Sequence, residues 1–322
     1  MADYPEMDEP MQRPRYTGIP TFMRVPYTED LTDVDIGLIG IPFDGGVTNR
    51  TGARHGPREI RNQSSLMRAL NSANNISPYT LCTVRDLGDA WVRRPFHLEE
   101  SLDEIHAFYE RVHAAQVVPV SAGGDHSVSL PVLRAIARDR PVGMIHFDAH
   151  CDTGDDYLGS KFHHGAPFRR AAEEGLIDPK RCIQIGIRGG TNNADHWQFS
   201  YDSGMRVIRI EEFYELGVKA VIAEARRVAG DGPTYITFDV DGLDPAYAPG
   251  TGTPEVGGFS TLEALIMLRG LQGLNLIGGD VVEVAPAFDP SGNTALVGAT
   301  MMFEILCIVA DSVSKQHAVD RG

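Results

Sequence analysis

Three groups of carboxylates and imidazoles stand out. Asp148-Ala149-His150-Cys151-Asp152 follows the apolar run Pro141–Phe147, Asp239-Val240-Asp241 follows Thr234–Phe238, and His126 follows the glycine turn Gly123-Gly124. In an extended chain alternate side chains share a side, so Asp148, His150 and Asp152 face together while Ala149 and Cys151 face away. Carboxylates crowded in this way need a counter-charge, and the chemistry they suit is divalent-metal binding. Two unit charges about 4 Å apart interact by about 1 kcal/mol in water and about 4 kcal/mol at an effective dielectric of about 20. Four ionised aspartates multiply that repulsion, and two divalent cations cancel their formal charge. A bridging hydroxide would leave the cluster slightly negative, which suits a cationic substrate. Carboxylate and imidazole donors without thiolate favour Mn²⁺, with Ni²⁺, Co²⁺ or Zn²⁺ as alternatives.

These residues need strands to carry them. Apolar runs at Asp35–Ile41, Val117–Ser121, Pro141–Phe147, Cys182–Arg188, Met205–Ile210, Thr234–Phe238 and Leu276–Val284 read as strands. Between them, helical patterns run from Pro57 to about Leu70, Leu98 to Ala115, Val128 to Arg138, Pro167 to Glu174, Glu211 to Val228 and Thr261 to Gly270, and a last one covers Thr294 to Val313. Such alternation predicts a mainly parallel sheet covered on both faces, in a single three-layer α/β/α domain. In open α/β sheets ligands bind beyond the carboxyl ends of the strands. His126, Asp148, His150, Asp152, Asp239 and Asp241 all fall at that edge, a polarity that scattered surface acids would not respect. Residues 1–33 are acidic and proline-bearing with little periodicity, and read as an N-terminal arm on the surface or on a neighbouring subunit; residues 34–322 read as the catalytic domain.

The formal charge of −15 disfavours a nucleic-acid or anionic-membrane partner. The N-terminus lacks a basic segment followed by an apolar one, and no uninterrupted apolar run matches a bilayer span. Cys82, Cys151, Cys182 and Cys307 are scattered and form no CxxC pair, so they read as reduced thiols in a cytoplasmic enzyme.

Taken singly, each residue has a plainer reading. Asp239 and Asp241 could shape a turn, and His126 could open a helix with Ser127 as its cap. Cys151 reads as a small buried side chain. His146 shares the parity of Asp148 but lies inside its strand, which suits support or core better than ligation. His55, His97, His106, His113 and His317 receive no role.

Together the motifs Gly123-Gly124-Asp125-His126-Ser127, Asp148-Ala149-His150-Cys151-Asp152, Thr237-Phe238-Asp239-Val240-Asp241 and Val282-Glu283-Val284 resemble those of the ureohydrolase (arginase/agmatinase) family. The resemblance extends from about Tyr16 to Ala310 and includes Gly52-Ala53-Arg54-His55-Gly56-Pro57. Asp241-Gly242-Leu243-Asp244-Pro245 and Pro249–Glu255 place it nearest the bacterial guanidinopropionase/guanidinobutyrase/agmatinase subgroup. The resemblance implies an arginase-like fold. It implies that His126, Asp148, Asp152 and Asp239 hold one metal and that His150, Asp148, Asp239 and Asp241 hold the other, with Asp148 and Asp239 bridging. It further implies that His164, the histidine before a glycine, shuttles a proton and that Glu283 holds a guanidinium group. The implied reaction is attack of a metal-activated hydroxide on the guanidinium carbon, releasing urea and an amine, or guanylurea and an amine from a biguanide. Trimers or hexamers are the implied assemblies, and a hetero-oligomer with a paralogue is an alternative.

Substrate choice is expected in loops over the strand ends, Thr153–Lys161 and Gly189–Trp197. Asp155 or Asp156 could meet a second cationic group, as on agmatine. Lys161 or Asn192 could meet a carboxylate, as on 3-guanidinopropionate or 4-guanidinobutyrate. A guanidino acid is the first choice, with agmatine and metformin as alternatives. Two rival classes share some of these features: a zinc deacetylase-like enzyme, suggested by the pair His163-His164, and a non-catalytic partner subunit. The first would hold one zinc ion and has no need of the full His126/Asp152/Asp241 set.

Overall fold

The computed structural model describes residues 9–320 apart from 192 and 194. Eight strands form one sheet: β1 (Ile36–Ile41), β2 (Val84–Asp89), β3 (Val118–Gly123), β4 (Val142–Phe147), β5 (Ile177–Ile187), β6 (Arg206–Arg209), β7 (Thr234–Asp239) and β8 (Leu276–Val282). Every pairing is parallel, and the order is β2-β1-β3-β8-β7-β4-β5-β6. The two last strands of the chain thus lie between β3 and β4, making β3, β8, β7 and β4 contiguous. Their register pairs Ala122 with Val281, Val282 with Asp239 and Phe238 with Phe147, which brings four carboxyl ends to one line.

Central strands buried on both faces need apolar residues throughout, and β1 and β4 are buried at every position. Alternate residues of β4 serve different cores. Ile145 and Phe147 pack in one with Phe238, Phe259 and Leu306, while Met144 packs in the other with Leu133 and Tyr235. The long C-terminal helix, Asn293–Asp320, covers the first of these faces. Its stretch Asn293–Ala318 has mean hydropathy 1.8, enough by length and composition to cross a bilayer, but 78% of that window is buried within the fold. Here the apolar face is a core contact, one that the uninterrupted-run criterion did not detect.

Several elements depart from expectation. The helix expected over Glu211–Val228 is two, Ile210–Leu216 and Val218–Ala229, because Gly217 adopts φ 76° between them. The helix containing Pro57 ends at Ser64 rather than near Leu70, and Gln198–Ser203, read as loop, is a short helix. Strand β2 was missed because Arg85, Asp86 and Asp89 break its apolar pattern; Arg61 binds both Asp86 and Asp89 at 3.0 and 2.6 Å. Thr261–Gly270 is helical as expected, started by a capping box between Ser260 and Glu263.

Within the stretch read as a surface arm, residues 22–25 do not lie on the surface. Phe22 and Met23 are fully buried and Val25 nearly so. The backbone N–H of Phe22 donates to Asp86 at 2.8 Å, and the Arg61 guanidinium stacks 4.1 Å from the Phe22 ring centroid. The apolar residues Phe22, Met23 and Val25 supply the side chains that this anchoring requires.

Candidate metal centre and active site

The six candidate ligands converge where β3, β7 and β4 end. His126 Nδ1 lies 3.1 Å from Asp148, 2.9 Å from Asp152 and 3.3 Å from Asp239. His150 Nδ1 lies 3.3 Å from Asp148 and 3.2 Å from Asp241. Asp148 therefore belongs to two neighbouring groups, facing His126 with one oxygen and His150 with the other. The His126 Nδ1 atom is buried and has no hydrogen-bond partner although three carboxylates surround it. A buried nitrogen without a partner, aimed among carboxylate oxygens, fits metal ligation better than it fits a finished hydrogen-bond network. The donor set fits a hard or borderline divalent ion.

Electrostatics is consistent with that fit. Burial pushes the Asp239 carboxyl well up, as do Asp241 and Asp148, and Asp241 is pushed up to about 6, chiefly by burial. Burial also opposes ionisation of Asp148, but the neighbouring imidazoles of His146, His126 and His150 hold it well below the usual carboxylate range. Burial disfavours charge on His126 and His150 too, yet the surrounding aspartates raise both imidazoles well above their ordinary value. Without cations, protons on these rings supply the positive charge that the acids require.

Hydrogen bonds behind the ligands orient them. His126 Nε2 donates to the Thr237 hydroxyl at 2.8 Å, which donates in turn to Asp280 at 2.6 Å. Asp280, fully buried within β8, also accepts from Ser129 at 2.7 Å and Tyr235 at 2.9 Å. This chain keeps the proton on Nε2 and leaves Nδ1 directed at the carboxylates. His146 Nε2 is 2.7 Å from Asp148, while its Nδ1 accepts from Gln184 at 3.2 Å, so the ring supports Asp148 from behind. Asp241 accepts from the N–H of Ala149 at 3.1 Å and from Thr253 at 3.2 Å. Cys151 is buried away from this group, packed with Ile187 and Val207.

Glu283, the residue after β8, joins the opposite wall. Its Oε1 accepts from His164 Nδ1 and from the His126 backbone N–H, each at 2.9 Å, and its Oε2 has no hydrogen-bond partner among the described residues. His164 Nε2 lies 2.8 Å from the Thr48 hydroxyl. Burial alone would lower the His164 pKa, but the Glu283 charge and hydrogen bond more than reverse this and raise it to about 9. Asp125 holds the loop that carries Thr48: it accepts from the Gly46 N–H at 2.7 Å, and the Gly46 carbonyl accepts from the His164 N–H at 2.9 Å. Asp152 and Glu283 have φ 50° and 63°, left-handed values that cost a non-glycine residue of order 1–3 kcal/mol and gather at functional sites.

A cavity of about 240 Å³ opens onto part of this assembly, lined by His150, Asp152, His164 and Asp239 within and by Tyr157, His163 and His196 toward solvent. The only carboxylates among its described lining residues are Asp152 and Asp239, both in the cluster. Asp155 does not line it. That side chain, expected to be available to a second cation, is held instead by Arg169 and Arg170, each at 3.0 Å. Asp156 accepts from the Gly159 N–H at 2.9 Å and shapes the loop, and Lys161 is exposed. Asn192 lies outside the described residues.

Comparison with known proteins agrees with this geometry. A model of the arginase family matches residues 34–307. The chain is 58% identical to the guanidinopropionase of Pseudomonas aeruginosa over 97% of this chain and 98% of that protein. The chain belongs to the arginase family. It is 45% identical to the mitochondrial agmatinase of Gallus gallus, over 92% of this chain and 87% of the relative. The solved structure of proclavaminate amidinohydrolase from Streptomyces clavuligerus superposes with a TM-score of 0.90 at 38% identity, covering 93% of this chain and all of that one. This arginase-family chain is accordingly an amidinohydrolase, with the hydrolysis of guanidino compounds as its reaction class and a His/Asp cluster that fits metal ions.

Some contributors to this arginase-family site escaped the sequence reading. Arg188 is buried and donates to the carbonyls of Gly186, Asp241, Gly242, Leu243 and Glu255, tying the end of β5 to the loop after β7. Desolvation lowers its pKa. Asp280 carried a legible signal, because an acid inside a buried strand must have partners. Thr48 carried none: nothing in its local sequence marks a threonine that contacts a histidine 116 positions away.

Proposed function

We propose that this amidinohydrolase converts a short guanidino acid, such as 3-guanidinopropionate or 4-guanidinobutyrate, to urea and the corresponding amino acid. The observation that carries the choice of an acid is the charge of the cavity: its lining acids sit in the cluster, and Asp155 is paired with two arginines. A second ammonium group on the substrate would find no uncommitted carboxylate among the described lining residues, whereas an anionic tail meets imidazole and hydroxyl donors. A volume near 240 Å³ is below the range of about 300–1,000 Å³ usual for drug-sized ligands and suits a short substrate. The high identity to a guanidinopropionase supports the same reading.

In this reading His126, Asp148, Asp152 and Asp239 hold one divalent ion, and His150, Asp148, Asp239 and Asp241 hold the other; Mn²⁺ is favoured, with Ni²⁺ as the alternative. Ions bound there supply Lewis acidity, the property that makes a hydroxide nucleophile available near neutral pH. Glu283 Oε2 accepts from the planar guanidinium by a charge-assisted hydrogen bond and fixes the carbon to be attacked. His164, protonated at neutral pH because of Glu283, gives a proton to the departing amine, its Nδ1 bonded to Glu283 and its Nε2 beside Thr48. Assembly as a trimer or hexamer belongs to the same proposal.

A urea-release screen with Mn²⁺ or Ni²⁺ over 3-guanidinopropionate, 4-guanidinobutyrate, agmatine, arginine and metformin tests it. The expected result is the highest kcat/KM on a guanidino acid. A preference for agmatine or metformin would overturn the substrate assignment and leave the reaction class standing.

A further inference from the structure

Beyond the cluster the cavity is lined by loop residues, and most of their polar groups already have partners. His163 Nε2 donates to the Asp155 carbonyl at 2.8 Å. Thr253 donates to Asp241 at 3.2 Å, and Thr48 is 2.8 Å from His164. His196, which also lines the cavity, is different. It is exposed, and its imidazole makes no hydrogen bond or ion pair with any described residue. Its place is nonetheless defined. The next residue, Trp197, packs against Cys151, Ile187 and Val207, and Arg209 lies 5.0 Å from a Trp197 ring centroid.

We propose that His196 is a specificity-determining residue whose ring N–H donates a hydrogen bond to the carboxylate at the far end of the guanidino acid. The inference rests on the guanidino-acid reading above and adds the residue that enforces it. A neutral imidazole carries one N–H in either tautomer, so a donor is present without protonation. Donation to an ionised carboxylate is stronger than to a neutral acceptor, so the bond favours an acid over its amide of the same length and shape. The contact lies at the end of the substrate remote from the reacting carbon, so its loss is felt in binding more than in turnover.

The test compares His196→Ala and His196→Asn with the unaltered holoenzyme on 3-guanidinopropionate, its amide 3-guanidinopropionamide, and agmatine. For His196→Ala, KM for the acid should rise about tenfold with kcat within about threefold, KM for the amide should move less than about twofold, and inhibition by β-alanine should weaken in parallel with the acid. His196→Asn, which restores an N–H donor, should recover most of the loss. An unchanged KM for the acid in His196→Ala, or an equal rise for acid and amide, overturns the assignment of His196. If the unaltered enzyme prefers agmatine and His196→Ala raises its KM, the residue reads a cation and the carboxylate assignment is overturned. Absence of urea from the acid with the unaltered enzyme is a separate outcome: it overturns the substrate reading itself, and the inference with it.

Discussion

The two walls of the cavity are built differently. On the inner wall, candidate ligands stand at the ends of buried parallel strands, and several are held from behind by a named partner: His126 by Thr237 and Asp280, Asp148 by His146, Asp241 by the Ala149 N–H. On the outer wall, loop residues bond mostly to their own loop or, as Asp155 does, to Arg169 and Arg170 of the following helix, and His196 has no partner among the described residues. Placement to a fraction of an ångström, which the chemistry needs, comes from a sheet that cannot move its parts separately. Substrate choice tolerates looser placement and is left to segments that can change without disturbing the sheet.

That contrast can be broken by mutation, and the largest effects belong to the inner wall. His126→Ala or Asp239→Ala should bring urea release below detection while circular dichroism stays native; full activity in either variant would refute the metal assignment. One layer back, Thr237→Val should cost roughly 10–100-fold in metal affinity or activity, because His126 loses the bond that sets its tautomer. An isothermal metal titration beside the activity assay would show whether the loss lies in binding.

At the boundary between the walls, Glu283→Gln should drop the His164 pKa from about 9 toward or below the ordinary 6.5, as read by NMR titration of the metal-free protein. The raised pKa also sets a stability window. Its contribution is fully present below about 6.5 and is lost as pH rises through about 9, so the wild-type advantage over the Gln variant should shrink across that interval. The smallest effect is expected on the outer wall: Asp155→Asn should leave KM for a guanidino acid within about twofold, since the carboxylate is partly exposed and already paired. A large rise there would mean that the loop's ion pairs position the substrate, and the division between walls would dissolve.

The convergence of these carboxylates and imidazoles was legible because strand polarity and side-chain parity are local properties. Asp148, His150 and Asp152 announce themselves within five residues, and Asp239 and Asp241 within three. Strand β2 was not legible for the same reason: Asp86 and Asp89 look like loop acids until Arg61, far away in sequence, is seen to bind both. The role imagined for Asp155 failed because a carboxylate's availability depends on its neighbours, and Arg169 and Arg170 approach it only when the following helix folds back.

By itself, the order of residue types determined the alternation of strands and helices, the family, the six candidate ligands and their edge of the sheet. The tertiary structure alone decided that β8 and β7 insert between β3 and β4, bringing Glu283 beside His126 and His164. It also decided that Thr48 meets His164, that Asp280 stands behind His126, and that His196 lines the cavity with no partner among the described residues. The physical reason is that charge and polarity are carried by each residue, whereas pairing depends on which distant groups the sheet order and loop paths bring within hydrogen-bond reach.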